Sequence, residues 1–238
     1  MTLLLLKLIL AHLIGDFFLQ PKKWVKDKEK KKLASLWLYA HILIHVVLMF
    51  LIVWDASYWK LILSIGLIHF VIDALKLLLQ TKKNKRWLFF IDQLLHVITI
   101  FGLATFFYRD SYEFVFTFDP KQLILIICIL FLTMPTSIIM GIVFSKWNLK
   151  KIAKDNESLK DAGKYIGILE RLLVFAFIAL DHWEAVGFLI TAKSVFRFGD
   201  ISNSKERQLT EYILIGTLLS FGIAILVGLL YLSLINYV

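Results

Sequence analysis

Long apolar runs recur along this chain, and several reach the ~20 residues that an α-helix needs to cross the hydrocarbon core of a bilayer. They lack the strict alternation of barrel strands. Lipid offers no partner to an unpaired backbone amide, so runs of this kind cross as helices. Composition agrees: 59% of the residues are hydrophobic and the mean hydropathy is +0.77, beyond the roughly 45–50% apolar content of soluble domains. The expected fold class is all-α, a polytopic helical membrane bundle.

Eight hydrophobic segments fall at 2–20, 33–53, 61–79, 87–107, 121–145, 165–181, 184–198 and 209–236. The seventh, at about fifteen residues, is short for a full crossing and suits a re-entrant or interfacial helix. The first run lacks a basic leader and a small-residue cleavage site, and it contains His12 and Asp16, so it is expected to be a mature span and not a secretory signal. The chain divides into a His/Asp-bearing membrane half, 1–107, an extracytoplasmic linker, 108–120, and a second membrane half, 121–238, with a Glu/Arg/Lys cluster. One cysteine, Cys128, allows neither an intrachain disulfide nor a thiolate-rich metal site.

The formal charge of +9 lies largely in alternate short loops: 21–32 with seven lysines, then 80–86, then 146–164. Lys and Arg in short loops are retained in the cytoplasm, which places these three inside and, if the seventh segment crosses, both termini outside. Topology accounts for the basicity without a nucleic acid partner. The expected partner is the bilayer, with anionic headgroups next to the lysines.

Inside the first four segments lie four polar pairs, each spaced by four residues: His12 and Asp16, His41 and His45, His69 and Asp73, Asp92 and His96. That spacing puts both members on one helix face. An ionisable group near mid-membrane costs on the order of 2.5–3.5 kcal/mol by insertion scales, so each requires a partner, a water cavity or a task. Successive spans alternate in direction, and the order of residues alternates with them, so Asp16, Asp73 and Asp92 all fall on the cytoplasmic side of their histidines. The eight groups then share one slab roughly 10 Å thick at 1.5 Å per residue.

Such a nitrogen and oxygen set suits a divalent metal, zinc foremost, with iron or manganese as alternatives. His12, Asp16, His41, His45, His69, Asp73 and His96 are the candidate ligands. Whichever of Asp16, Asp73 and Asp92 is not a ligand is the candidate general base. Gln20 and Gln93 stand where they can hydrogen-bond Asp16 or His96 from behind. Lys76, one turn beyond Asp73, neutralises a carboxylate or meets an anionic substrate headgroup. Interhelical packing bonds and a metal-free proton relay use the same residues.

The second half places Glu170, Arg171, Lys193, Arg197 and Glu211 near predicted span ends. Glu170, Arg171, Lys193 and Glu211 form an ion-pair cluster, or Arg171, Lys193 and Arg197 form a phosphate- or carboxylate-binding set. His182 falls at a predicted outer turn, away from the other histidines.

The stretch from Ala11 to Gln20, then His41 and His45, His69 to Lys76 and Asp92 to His96 resemble a bacterial membrane family catalogued as domain of unknown function 3307. The stretches Ile166–Arg171, Ala192–Ser194 and Glu211–Thr217 resemble its longer members. The resemblance implies a multi-pass protein of the bacterial inner (cytoplasmic) membrane and carries no activity. A looser likeness to membrane-bound metal-dependent hydrolases rests on intramembrane His and Asp alone, with different spacings. The expected function is a metal-dependent membrane enzyme, a hydrolase or transferase acting on a lipid or lipid-linked substrate at the cytoplasmic leaflet. The competing class is a divalent-cation or proton-coupled transporter using the same residues.

Overall fold

The computed structural model describes residues 1–81, 83–107, 119–145, 162–195 and 204–238, which form helices and connecting turns with no strand among them. They divide into two compact units, 1–123 and 124–238. The first unit opens with α1 (Thr2–Leu13), which runs on into a wide π-type turn, Ile14–Phe18. There follow α2 (Lys22–Lys31), α3 (Leu36–Val53), α4 (Trp59–Leu79) and α5 (Lys85–Phe107). After them come α6 (Pro120–Leu132), α7 (Met134–Phe144), α8 (Ala162–Ala179), α9 (Trp183–Val195) and α10 (Ser204–Ile235).

Among the described residues, five helical runs are long and apolar enough to cross a membrane: 36–53, 56–79, 85–107, 120–144 and 211–235. A sixth is reached only if α1 with its π-turn and the following 22–34 segment, bent by 83°, count as one. The eight segments expected from hydropathy reduce to this smaller set for two reasons. Helix α8 carries Lys164, Glu170 and Arg171, and α9, at 13 residues, is about 20 Å long against a core of about 30 Å.

The first unit is polar inside and apolar outside. Its outward faces expose Leu36, Leu43, Leu67, Trp87, Leu94 and Phe106, while six histidine and aspartate side chains of α3, α4 and α5 are buried. Water would penalise that distribution, whereas lipid accepts the outer face and the helices shelter the inner one. The interior is layered along the helix axes. One end is an apolar plug in which Leu4, Leu8, Met49, Leu61, Ile62 and Ile100 meet. Next come the histidines, then the carboxylates. Along α1 and its π-turn (Leu8, His12, Asp16) and along α4 (Ile65, His69, Asp73) the sequence passes from plug to His to Asp, and along α5 it runs the other way (Asp92, His96, Ile100), one helical turn at each step.

The segment 21–32, expected as a basic loop, is mostly the helix α2. Pro21 starts it in an extended conformation, and the chain turns sharply there, so α2 lies across the carboxylate end of the bundle. Trp24 stacks on Trp37 with ring centroids 4.4 Å apart. Lys32 donates to the Leu77 carbonyl, Glu29 pairs with Lys85, and Ser35 donates to Asp27 at 2.7 Å. Exposed lysines, among them Lys22, Lys23 and Lys26, line its outer side, but Lys28 points inward and is 5% exposed.

In the second unit the run 120–144 is interrupted at Thr133. Pro135 has no N–H, so the Phe131 carbonyl loses its helical donor. The Thr136 hydroxyl takes that place at 2.7 Å. Arg171 of α8 donates to the Leu132 carbonyl at 2.7 Å and to the Thr133 carbonyl at 3.3 Å. A proline inside a membrane helix is tolerated when neighbours satisfy the freed groups in this way.

Candidate metal centre

The π-turn sets the geometry around Asp16. Leu19 N–H bonds to the Ile14 carbonyl, five residues back, at 3.0 Å, which widens the helix where Asp16 leaves it. Single π-turns of this type concentrate at functional sites. Gly15 precedes Asp16, and a Cβ there would lie 2.5 Å from the His45 ring. The missing side chain is what allows the imidazole to rest on the backbone beside the carboxylate. Gly15→Ala is therefore expected to displace His45 and weaken divalent-ion binding at least ~10-fold while leaving helical circular dichroism unchanged.

The histidines of four helices converge on that carboxylate. Asp16 Oδ1 lies 3.0 Å from His45 Nε2, 3.2 Å from His41 Nε2 and 3.7 Å from His69 Nε2. His41 Nε2 and His69 Nε2 are 3.3 Å apart. Four donors arranged tetrahedrally 2.0–2.1 Å from one ion stand roughly 3.3–3.4 Å from each other. The four measured separations bracket that value. The donor atoms of Asp16, His41, His45 and His69 all lie within 4.8 Å of one another, as do those of His12, Asp16 and His96 and those of His69, Asp73 and His96. The residues present fit a divalent cation of zinc size, and nitrogen and oxygen donors of this kind also suit iron or manganese.

Charge then separates the three carboxylates. Asp73 pairs with Lys28 at 2.9 Å and Asp92 with Lys76 at 2.6 Å. Asp16 has no ammonium group at ion-pair distance among the described residues. Its other strong bond is a donated N–H from Gln93 at 2.7 Å, and the same amide reaches Asp92 at 3.3 Å. Gln20 Nε2 sits 3.0 Å from the His41 ring nitrogens. Asp16 is thus the carboxylate without an ammonium partner among the described residues, and the one that a cation would meet unmatched. Asp73 remains 3.7 Å from His41 Nε2, close enough to serve as a base at the rim of the cluster.

Two residues that matter here escaped the sequence reading. Lys28 is one of seven lysines in 21–32, all explained equally well by topology. Gly15 has no side chain to draw notice. The one available signal was that Lys28 follows Trp24 at helical spacing in a segment taken for a loop.

In the second unit, Lys193 is bonded to Glu170 at 2.6 Å, which is one half of the expected ion-pair cluster. Arg171, 3% exposed, spends its donors on the two carbonyls above and on Ser137 and Ser220 at 2.8 and 3.2 Å. No carboxylate stands at ion-pair distance from it among the described residues. A cavity of about 430 Å³ opens beside it, lined also by Lys193, Tyr212 and Thr217. Arg197 lies outside the described residues. His182 meets Glu184 at 3.1 Å on an exposed turn.

No curated protein and no solved structure matches this chain. Residues 4–125 match the family described as Protein of unknown function (DUF3307), a stretch that is half of the chain, covers nearly all of the first unit and includes each residue of the His/Asp cluster. The protein belongs to that family.

Proposed function

We propose that the protein is a metal-dependent membrane enzyme, a hydrolase or transferase that acts on a lipid or lipid-linked substrate from the cytoplasmic side of the bacterial inner membrane. The observation that carries the proposal is the Asp16 carboxylate facing three imidazole nitrogens at the separations of a single coordination shell. A divalent ion held there supplies Lewis-acid activation of water at neutral pH. Asp73, freed from direct ligation by its bond to Lys28, is the candidate proton acceptor. The exposed lysines of α2 face the headgroup region and attract an anionic substrate to the mouth of the cluster. In the second unit, the Arg171 guanidinium is the donor that an anionic group entering its cavity would meet.

The test combines metal analysis with turnover. Protein purified without chelator is expected to carry stoichiometric divalent metal, to lose hydrolysis of lipid ester and phosphoester probes after chelation, and to regain it on readdition of zinc, manganese or iron. Metal-free protein from careful preparations would overturn the enzyme reading.

Transport is the second reading, and two features favour it: the 83° bend directly after Asp16 and the interruption at Thr133. Discontinuous helices of this type form ion sites in secondary transporters. Reconstituted protein that moves divalent ions down an imposed gradient, without turnover of any lipid probe, would select it.

A further inference from the structure

We infer that the cluster takes two divalent cations, with the Asp16 carboxylate bridging them, His41, His45 and His69 holding the first, and His12 and His96 holding the second. This rests on the metal reading above and extends it. The two oxygens of Asp16 face different partners. Oδ1 is turned to His41, His45 and His69, whereas Oδ2 is turned to His12, whose Nε2 lies 3.9 Å away. Gln93 donates to Oδ2 and so occupies one of its two lone pairs, which leaves the other open.

His12 and His96 supply the second observation. They are 4% and 2% exposed, and all four of their ring nitrogens are buried with no hydrogen-bond partner among the described residues. A buried polar group left without a partner costs about 1–3 kcal/mol, so two whole imidazoles in that condition are costly unless something engages them. The two rings are neighbours, with centroids 5.2 Å apart. The 3.9 Å from His12 to Asp16 is too long for a hydrogen bond. Two ligands of one ion, each 2.0–2.2 Å from it, stand as far apart as about 4.4 Å. Asp92 lies beside this set without joining its group of donors within 4.8 Å. Its Oδ1 is also buried without a partner, and its Oδ2 lies 3.9 Å from His96 Nδ1. His69 of the first position stacks on His96 of the second at 3.9 Å between centroids, so the two ligand sets adjoin.

Carboxylate-bridged ions of this kind lie about 3.5–4 Å apart, close enough for their electron spins to couple. Metal-depleted protein titrated with manganese is expected to bind two ions per chain and to give an exchange-coupled paramagnetic resonance spectrum. The His12→Ala/His96→Ala double variant should bind one and give the isolated-ion signal. His12→Gln/His96→Gln, which keeps more of the side-chain volume, serves if the alanine variant loses its helical circular dichroism. One ion in the wild type, two in the folded double variant, or loss of both ions in that variant would overturn the second position. No ion in the wild type would instead sink the metal reading itself, so the two failures are told apart.

Discussion

Asp16→Asn is expected to abolish tight metal binding while leaving the fold intact. Asparagine keeps the size of the side chain and its contact with Gln93, but it removes the carboxylate that no ammonium group matches. The three imidazoles around Oδ1 would then face a neutral amide, and any cation placed among them would lose its closest opposite charge. A fall in divalent-ion affinity of at least ~100-fold, about 2.7 kcal/mol, is expected, read by competition with a chromogenic chelator in detergent. Asp73→Asn provides the contrast, because Asp73 is already bonded to Lys28. That variant is destabilised by the stranded Lys28 charge, and its folded fraction should retain metal and lose turnover. Wild-type affinity in Asp16→Asn would remove Asp16 from the centre of the site.

Lys28→Met is expected to be the most destabilising single change in the first unit. The side chains of Lys28 and Asp73 are only 6% and 7% exposed, and removing one partner of a buried pair leaves the other charge stranded, at a cost of about 3–5 kcal/mol. Against a typical total of 5–15 kcal/mol this is severe. The thermal midpoint in detergent should drop sharply, and α2 should become an early site of proteolysis. Lys28→Met/Asp73→Leu removes both charges and should recover most of the loss. Lys31→Met is the control: its pair with Asp27 is largely exposed on the lysine side, and such pairs contribute at most about 1 kcal/mol. Equal effects of Lys28→Met and Lys31→Met would show that α2 is not fastened through Asp73.

How much of this was legible beforehand follows from the physics of each feature. The four pairs spaced by four residues were legible because helical periodicity dictates which side chains share a face, and lipid makes chance ionisable residues costly. Their shared depth followed from alternating span direction, and the layering of plug, histidines and carboxylates is its three-dimensional form. What hydropathy cannot see is backbone detail. A π-turn at Asp16, a glycine that admits an imidazole and a helix folded from a lysine-rich stretch leave no trace in apolar content. Nor does composition divide three aspartates into two that are neutralised and one that is not, because the neutralising Lys28 comes from a segment outside the spans. Arg171 is another such case. Its charge in a predicted span suggested an ion-pair cluster or anion binding, whereas it bonds two serines and two carbonyls next to a proline that lies 36 positions earlier in the chain.

The plug of Leu4, Leu8, Met49, Leu61, Ile62 and Ile100 closes one end of the His/Asp cluster with apolar side chains. Asp16 at 10% and Lys76 at 23% are the more exposed polar side chains beside the histidines, whose side chains are 1–5% exposed, while Asp92 at 1% and Asp73 at 7% stay covered. On the metal-enzyme reading, ions, water and products would pass by the other end, the one that α2 lies across. A protein that carries cargo across a bilayer needs a route through both ends, and opening one here would mean parting the buried apolar cluster. For a catalyst the same closed floor is an advantage, because it keeps a charged site at the membrane from becoming a leak.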